Sequence, residues 1–393
     1  MREGWEYQKL GELVKVINGL WVGKKPPFTN VAVVRNANFT KSCTLDMSNI
    51  AYIDVEEKQF NTRELQYADI IIEKSGGSEK QPVGRPIFFN IKDRGYSFSN
   101  FTATLRVVSS DIVPEYLYKV LLAQYKQGVT KRLQSKTTGL HNLDFKSYLK
   151  SVIPIPSCEK QLSIVSELDK INELIRLKKE QLKDYDNLAQ SIFYEMFGDP
   201  VVNEKGWGIK KLGNFCEIGT GSTPSRKNKE YYEGSISWVK STEVSNCVID
   251  STEEHISEIA IAKTNCTIYP KGTILIAMYG QGKTRGQIAI LNIEATTNQA
   301  VAAILPSELC EKFFLYHCLH LMYDNIRSMA RGGNQANLNL AIVRSINIIL
   351  PPLPLQQLFA QRIELIEKQK AEVQRTISDL ETLLASRMQY WFD

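Results

Sequence analysis

The run GQGKT at 280–284 is the stretch most similar to a chemical motif, because lysine and threonine follow glycines there. Loops that hold nucleotide phosphates follow the pattern G-x-x-x-x-G-K-[ST], entered from a strand and opening a helix. Ala277 occupies the place of the leading glycine. The segments 273–277 and 286–291 are short, apolar and β-branched, which predicts a strand on each side of the loop. A strand–loop–strand hairpin has no helix N-terminus for phosphate, so we expect another ligand.

Other side chains that could do chemistry do not form a catalytic set. Cys310, His317, Cys318 and His320 lie in an apolar helical segment without C-x-x-C spacing, which favours core packing over zinc. No G-x-S-x-G elbow is present, and Asp199-Pro200-Val201 does not extend to the D-P-P-[YF] of adenine methyltransferases. We therefore expect a non-catalytic chain that binds no metal.

Composition sets wide limits on function. The chain has 393 residues, a net charge of +5 and a pI near 8.6, which permits a polyanionic partner without requiring one. Its seven cysteines include no C-x-x-C pair, which is typical of reduced thiols. No signal-peptide core or membrane-length apolar run is found. We expect a cytoplasmic protein of two or three domains that is not bound to a membrane.

The sequence contains an internal repeat. Gly4-Trp5 recurs as Gly206-Trp207, an offset from 4 to 206 of 202 residues. Gly19 recurs at the same offset as Gly221. Later in each copy the offset falls to 195, from 142 to 337, and it relates four further positions: Asn142-Leu143, Pro156, Gln161 and Phe197 recur as Asn337-Leu338, Pro351, Gln356 and Phe392. One architecture is therefore expected twice.

Each copy has two parts. Short strands, glycine turns and helical segments predict a mixed α+β domain, at 1–156 in the first copy and 199–353 in the second. A proline link ends each domain. A segment without internal glycine or proline follows, from about 158 to 197 and from about 355 to 392, which predicts a long helix. The helical parts take the bounds 157–198 and 354–393.

Apolar residues spaced by fours and threes follow one face of each helix, as in a coiled coil. The alternative is an amphipathic helix that packs on its own domain. We favour pairing of the two helices, antiparallel, as a rod of roughly 60 Å, since each residue adds 1.5 Å. Lys178, Lys370 and Arg387 interrupt the face. The residues predicted to pack between the helices are Leu168, Ile171, Ile175, Leu182, Tyr185, Ile363, Ile366, Val373, Ile377 and Leu380.

A rigid rod with a domain at each end suits a regular polymer such as duplex DNA. Protein half-sites on DNA are set about 34–36 Å apart, or a multiple of that distance. Three glycine-bearing basic loops in each copy would bring backbone, amides and cations to bases and phosphates. For any single residue, an ordinary solvated loop is an equal explanation.

The residues also resemble a known family. The segments GTGSTPSRKNKEYYEGSISWVKSTEV (219–244) and 271–305 are similar to the specificity subunits of type I restriction–modification enzymes. In the first copy, INGLWVGKKPPF, VVRNANFTKS and IIIEKSGGSEKQPVGR resemble a second subtype of the same recognition domain. The resemblance covers essentially the whole chain. The link at 156–161, PSCEKQ, departs from the usual P-P-x-x-E-Q, which leaves the start of the first helix open.

The resemblance implies two target recognition domains, each reading one half of a bipartite site in double-stranded DNA. It implies that the helices set the spacing and dock two modification subunits, which methylate adenine N6, and thereby the restriction subunits. S-adenosylmethionine, ATP and Mg²⁺ are then expected in those partners, with no cofactor bound by this chain.

The candidate DNA-binding residues are polar, basic or glycine residues of these loops. In the first copy they are Lys24, Lys25, Arg35, Asn36, Asn38, Ser75, Gly76, Gly77, Lys80, Gln81, Arg85, Thr137, Thr138 and His141. In the second copy they are Ser222, Thr223, Ser225, Arg226, Lys227, Lys240, Tyr279, Gly280, Gln281, Lys283, Thr284, Arg285, Gly333, Asn334 and Gln335.

Two alternatives stay open at this point. A coiled-coil scaffold whose mixed domains bind proteins would share the same architecture. An ATP-dependent enzyme would rest on GQGKT alone.

Overall fold

The computed structural model describes residues 2–21, 23–79, 81–137, 140–280, 282–330 and 337–392, with the backbone alone at 136 and 137. The chain divides into two compact units, Met1–Leu177 with Ile377–Asp393, and Lys178–Thr376. Each unit holds one mixed α+β domain and part of both long helices. No helix among the described residues has the length and apolar character needed to cross a membrane.

The long helices are continuous through 40 residues each. The first, α6, spans Cys158–Phe197, and the second, α11, spans Leu353–Phe392. The degenerate link at 156–161 therefore does not displace the start of α6.

The first unit contains twelve strands and five shorter helices among its described residues. The strands are β1 (Glu6–Lys9), β2 (Val14–Asn18), β3 (Phe28–Val34), β4 (Ala51–Glu56), β5 (Ile70–Glu73), β6 (Ser75–Gly77), β7 (Pro86–Phe88), β8 (Tyr96–Phe98), β9 (Thr102–Val107), β10 (Gln134–Thr137), β11 (Leu140–Leu143) and β12 (Val152–Ile155). The helices are α1 (Leu10–Leu13), α2 (Glu57–Arg63), α3 (Pro114–Lys126), α4 (Val129–Arg132) and α5 (Phe145–Tyr148). Asn36–Asn38 forms a 3-10 turn.

The second unit contains ten strands and four shorter helices among its described residues. Its strands are β13 (Ile209–Lys211), β14 (Ile218–Thr220), β15 (Ile236–Val239), β16 (Cys247–Ile249), β17 (Glu254–Ile256), β18 (Ile274–Ala277), β19 (Ile288–Leu291), β20 (Thr296–Thr297), β21 (Val301–Ile304) and β22 (Asn347–Ile349). Its shorter helices are α7 (Glu258–Lys263), α8 (Lys312–Leu321), α9 (Tyr323–Ser328) and α10 (Leu340–Arg344), with 3-10 turns at Leu212–Asn214 and Lys229–Tyr232.

Equivalent sheets form in both units. The larger sheet has the order β2-β9-β5-β7 in the first unit and β14-β21-β18-β19-β16 in the second. A three-stranded sheet, β4-β3-β8 or β17-β15-β20, pairs its last two strands in parallel. A third sheet, β10-β11-β6, occurs in the first unit. Strands β1 and β12 pair in the first unit, as β13 and β22 do in the second. The internal repeat is thus a repeat of structure.

Residues shared by the two copies do the same structural work. A Cβ on Gly19 would lie 1.9 Å from the Ser99 carbonyl oxygen, and one on Gly221 would lie 1.8 Å from that of Thr297. Both positions therefore require glycine. Gln161 donates to the Pro156 carbonyl at 2.9 Å, and the Gln356 amide donates to the Pro351 carbonyl at 2.8 Å.

The cores join each sheet to its helices. In the first unit, β5 is buried along its length and packs with α3, with the N-terminal part of α6 and with the C-terminal turns of α11. In the second unit, four aromatic side chains from α6, α8 and α11 pack with ring centroids 4.8–5.6 Å apart. They are Phe193, Phe197, Phe314 and Phe359.

The predicted helix-face residues differ in burial. Seven are buried: Leu168, Ile171, Ile175, Ile363, Ile366, Val373 and Ile377. Leu182, Tyr185 and Leu380 are half-buried. Two of the polar interruptions make ion pairs within their own units, since Arg387 bonds Glu167 and Lys370 lies 2.8 Å from Asp186. Lys178 donates to Gln181 Oε1 at 3.0 Å.

Candidate nucleic-acid interface

The first copy gathers two of its predicted loops into one small sheet. Strand β11 pairs with both β10 and β6, which places His141 opposite Gly77. The Ser75 hydroxyl bonds the Asn142 side chain, and the Asn36 amide donates to the Ser75 carbonyl at 2.7 Å. His141 Nδ1 lies 2.7 Å from Gln134 Oε1. Asn36, Ser75, Gly76 and His141 thus share one region of the surface.

Lys24 and Lys25 lie on an exposed loop with a fixed backbone. Their backbone N–H groups donate to one Glu56 carboxylate oxygen at 2.5 and 2.6 Å. These donors, that of Lys25 first, lower the pKa of Glu56. Both lysines are exposed, so the loop presents positive charge to the solvent.

Two predicted contacts lie in the interior and need correction. Arg85 is 3% exposed, and its guanidinium bonds the Glu73 carboxylate at 3.1 Å and the Phe39 carbonyl at 2.9 Å. Asn38 is 1% exposed and donates to the Asp46 carbonyl. Burying a charge requires a partner of this kind. Neither side chain is available to DNA in this structure, and both hold the loops in place.

Three neighbours of these residues support the same region. Gly77 is buried, and a Cβ there would lie 2.6 Å from Val83 Cγ1. The Gln81 amide lies beside the Arg85 guanidinium, where its oxygen can accept at 2.7 Å. Half-buried Arg35 donates its backbone N–H to Asn38 Oδ1 at 2.9 Å. Gly77 and Gln81 therefore contribute mainly to loop structure.

In the second copy an acidic network holds the predicted cations. Arg226 lies 2.5 Å from Glu254, and Lys240 lies 2.7 Å from Glu253 and 3.1 Å from Glu254. The hydrogen bond from Arg226 is the main cause that lowers the pKa of Glu254. The Arg226 guanidinium also lies 4.3 Å from the Tyr232 ring centroid. This arrangement fixes the plane of the guanidinium, which is what a bidentate contact to a base edge requires.

The rest of this loop carries hydroxyls and exposed residues. Thr223 Oγ1 bonds the Gln299 side chain, and the Ser222 carbonyl accepts from the Trp238 indole at 3.0 Å. Ser225 and Lys227 are exposed.

The hairpin that carries GQGKT is held by helix α9. Strands β18 and β19 pair antiparallel, as predicted. The Tyr323 hydroxyl donates to the Lys283 carbonyl at 2.7 Å, and Arg327 donates to the Arg285 carbonyl at 2.8 Å. Gly280 has φ of 145°, and a Cβ there would lie 2.7 Å from Thr284 Cβ. No helix follows the loop, so the nucleotide-site alternative loses its structural basis.

This hairpin loop exposes some of its predicted residues and half-buries others. Tyr279 is 41% exposed, and Lys283 is exposed. Thr284 and Arg285 are half-buried. Several predicted residues lie outside the described part of the chain: Lys80, Thr138, Gln281, Gly333, Asn334 and Gln335, together with the side chain of Thr137.

The sequence did not single out the residues that position these loops. Tyr323, Arg327 and Glu254 act from positions remote in sequence, and local patterns carry no signal for such pairs. Exposed aromatic side chains beside the glycine loops, Trp21 and Phe101, could have been noticed as candidates for contact with bases.

The expected core packing of the histidine–cysteine segment holds for its cysteines only. Cys310 and Cys318 are buried, His317 is half-buried and His320 is exposed. Burial lowers the pKa of His317 to about 3, and Cys318 is fully buried. Within the described ranges, no three His, Cys, Asp or Glu residues are grouped to hold a metal ion.

Comparison with known proteins identifies the family. A sequence model described as the type I restriction modification DNA specificity domain matches residues 2–184 and 204–381, one match for each copy. The chain belongs to this family. Specificity subunits are the non-catalytic components of restriction–modification complexes.

Named members of the specificity family are distant relatives. The MjaIX specificity subunit of Methanocaldococcus jannaschii is 23% identical over 387 residues, covering 93% of this chain and 87% of that protein. The EcoR124I/EcoR124II specificity subunit of Escherichia coli is 26% identical over 231 residues, 56% of each chain.

Two solved structures share the fold. One is a chain from a type I restriction–modification system studied for complex assembly and conformational transition, with a TM-score of 0.64, 18% identity and coverage of 100% of this chain and 98% of that chain. The other is the crystal structure of the S subunit from M. genitalium, with a TM-score of 0.55, 13% identity and coverage of 99% and 96%.

Proposed function

We propose that this chain is the specificity subunit of a type I restriction–modification complex and reads a bipartite site in double-stranded DNA. The observation that carries the proposal is a recognition-type domain present twice on equivalent strands, with different polar loops in the two copies. Equal frames with unequal loops suit two different half-sites.

The loops supply the groups that such reading requires. The first copy offers Asn36, Ser75 and His141 on one surface. Lys24 and Lys25 lie on an exposed loop, and their proposed role is to bind phosphate. The second copy offers Arg226 with a fixed plane and the exposed Lys283. Amides pair with adenine and arginine with guanine in the major groove, while lysine binds phosphate as a point charge.

The helices are proposed to pair as an antiparallel coiled coil. In the first unit Glu167 of α6 bonds Arg387 of α11, and in the second unit Asp186 pairs with Lys370. The partner's number falls as the α6 number rises, which supports opposite directions. At 1.5 Å per residue, 40 residues give a rod of roughly 60 Å.

The division of labour follows from this arrangement. Target recognition domains at 1–156 and 199–353 would read DNA, while the helices at 157–198 and 354–393 would set the spacing and dock two modification subunits. Those subunits would carry S-adenosylmethionine and methylate adenine N6, and restriction subunits would add ATP-driven cleavage.

The test is co-expression of the chain with its cognate modification subunit, followed by mapping of methylated adenines and gel shifts on the mapped site. We expect one bipartite sequence, and an affinity that falls steeply with salt because binding releases counterions. A complex that methylates without any bipartite preference contradicts the proposal. Salt-independent capture of a protein by the mixed domains would support the scaffold alternative instead.

A loop variant tests the assignment of domains to half-sites. Lys283→Ala should weaken binding or relax one half of the site and leave the other half unchanged. The helix variant Ile377→Ala serves as the matched contrast, because it should loosen assembly without changing which bases are read. Equal loss of preference at both halves in Lys283→Ala would refute the assignment.

A further inference from the structure

The three-stranded sheets of the two copies can be aligned by their hydrogen bonds. Val33 pairs with Ser97 across β3 and β8, and Trp238 pairs with Thr296 across β15 and β20. The next carbonyl in each strand, of Val34 or Val239, accepts the equivalent backbone bond. Val33 and Trp238 therefore occupy the same position on the same face of this sheet.

In the second copy, aromatic side chains fill that face. Trp238 is 2% exposed and packs in a cluster with Ile256, Ala260 and Cys266. Its indole N–H donates to the Ser222 carbonyl at 3.0 Å, and the Tyr232 ring lies 6.0 Å away. A planar heteroaromatic ring with a satisfied donor thus occupies the site.

In the first copy the same face is an open pocket. Aliphatic residues replace the rings, and a cavity of about 450 Å³ remains, within the range of roughly 300–1,000 Å³ typical of small-ligand sites. Val33, Ile53 and Val55 come from β3 and β4, and Leu20 and Phe101 from the neighbouring loops. The lining is mainly apolar, as stacking of a ring requires.

Polar atoms without partners lie in the residues around this cavity. Arg35 Nε, Asn36 Oδ1 and Ser99 Oγ are buried and have no hydrogen-bond partner within the part of the chain that the structure describes. Native proteins usually satisfy such atoms, so each one needs an explanation. The set contains a donor, an acceptor and a hydroxyl that can act as either.

We propose that this pocket of the first unit accepts a nucleobase turned out of the DNA duplex. The proposal rests on the proposed function and names what this part of the first domain reads. Asn36 and Gly76 line the cavity and belong to the surface that is proposed to meet DNA. A nucleobase is planar like the indole in the second copy, and its edge carries donors and acceptors. Pockets for extrahelical bases combine apolar or aromatic stacking with such edge contacts.

The second copy cannot do the same, because its own Trp238 occupies the position. Only the half-site read by the first unit should therefore contain the unstacked base. This asymmetry separates the inference from methylation, because adenines that the modification subunits act on are expected in both halves of the site.

The experiment uses the chain assembled with its modification subunits and duplexes that contain the mapped site. Each position of the first unit's half-site is replaced in turn by 2-aminopurine, whose fluorescence rises when it leaves the stack. The wild-type complex is compared with Val33→Trp, which places in the pocket the side chain that the second copy tolerates. Val108→Trp is the matched control, because Val108 is 62% exposed.

We expect a fluorescence rise at one position besides the methylated adenines. Val33→Trp should abolish that signal and weaken binding about tenfold, because the base can no longer enter the pocket and its contacts there are lost. Val108→Trp should keep both the signal and the affinity. If no additional position brightens in the wild-type complex, the inference is wrong, whatever the folding of the variant. It is also wrong if Val33→Trp folds and leaves the additional signal and affinity unchanged. Loss of all bipartite preference in the wild type would refute the proposed function itself.

Discussion

The three-stranded sheets of the two units have the same strand order and pairing but different contents on one face. In the first unit, Val31, Val33 and Val55 leave room above the sheet, whereas Trp238 and Tyr232 fill the second. The exchange of valine for tryptophan leaves the strand pairing unchanged, because the register is set by backbone hydrogen bonds common to both sheets. A repeated frame can therefore diverge in function by changing the volume of a few side chains.

The largest effect is expected from removing the ring that distinguishes the second sheet. Trp238→Ala should lower the free energy of unfolding by about 3–5 kcal/mol, because it empties a packed site and removes the bond to Ser222. Val33→Ala in the first unit should cost about 1 kcal/mol, since that side chain already borders a cavity. Hydrogen exchange of peptides covering β15 and β3 measures the two losses separately. Equal losses would mean that the two faces are packed alike.

A second contrast lies at the ends of the central strands. Strand β5 ends in Glu73, paired with buried Arg85, whereas β18 ends in the apolar Ala277. Arg85→Met should destabilise the first unit by about 3–5 kcal/mol, because it leaves the Glu73 carboxylate buried without a cation. Adding Glu73→Leu should recover most of the loss. Urea unfolding of the single and double variants decides this, and a double variant no better than Arg85→Met would contradict it.

We expect the stability of α3 in the first unit and of α8 in the second to respond differently to acid. The Gln161 side chain accepts from the backbone N–H of Val113, and Gln356 accepts from that of Glu311. Lys119 and His317 follow these two residues at the same distance in sequence, so they occupy equivalent positions in α3 and α8. Burial lowers the pKa of His317 to about 3, from 6.5, so the unfolded chain binds its proton first. Stability from this group is present above about pH 6.5 and is lost as the pH falls towards about 3, by roughly 4 kcal/mol.

Hydrogen exchange of α8 across this pH range measures the effect, and His317→Gln should flatten its slope. The α3 peptides of the first unit serve as the internal control, since Lys119, paired with Asp169 at 2.5 Å, stands there in place of the histidine. An unchanged slope in His317→Gln would assign the acid sensitivity to other groups, of which His320 is the nearest candidate because desolvation of its ring also lowers its pKa.

The smallest change in stability is expected at the exposed acidic network. Glu254→Gln should alter the free energy of unfolding by less than about 1 kcal/mol, because the Arg226 pair is exposed to solvent. It should nevertheless relax base preference in the second half-site by about tenfold, since a freed guanidinium loses its fixed plane. Glu230→Gln removes the same charge elsewhere on the surface and is the control. Methylation mapping that finds both half-sites unchanged would exclude Arg226 as a base reader.

Much of the frame was predictable from the sequence, and the site was less so. Apolar periodicity gave helices within a few residues of Cys158–Phe197 and Leu353–Phe392, because continuous helical patterns are local. The β18–β19 hairpin followed from its β-branched flanks. The sheet β10-β11-β6 was missed, because Ser75–Gly77 has no strand propensity and pairs only through its tertiary neighbours. Arg85 was misplaced for a related reason: its basic side chain looks like a surface group until Glu73 is brought beside it.

The glutamines at the start of the long helices have a mechanical consequence. Gln161 ties the Pro156 and Asp111 carbonyls to one side chain and accepts from Val113, and Gln356 links Pro351 with Glu311 in the same manner. Helix ends ordinarily fray, but here the opening turn is clamped to the body of its own domain. A force on either domain would therefore be transmitted directly to the adjoining helix, because no flexible linker lies between them.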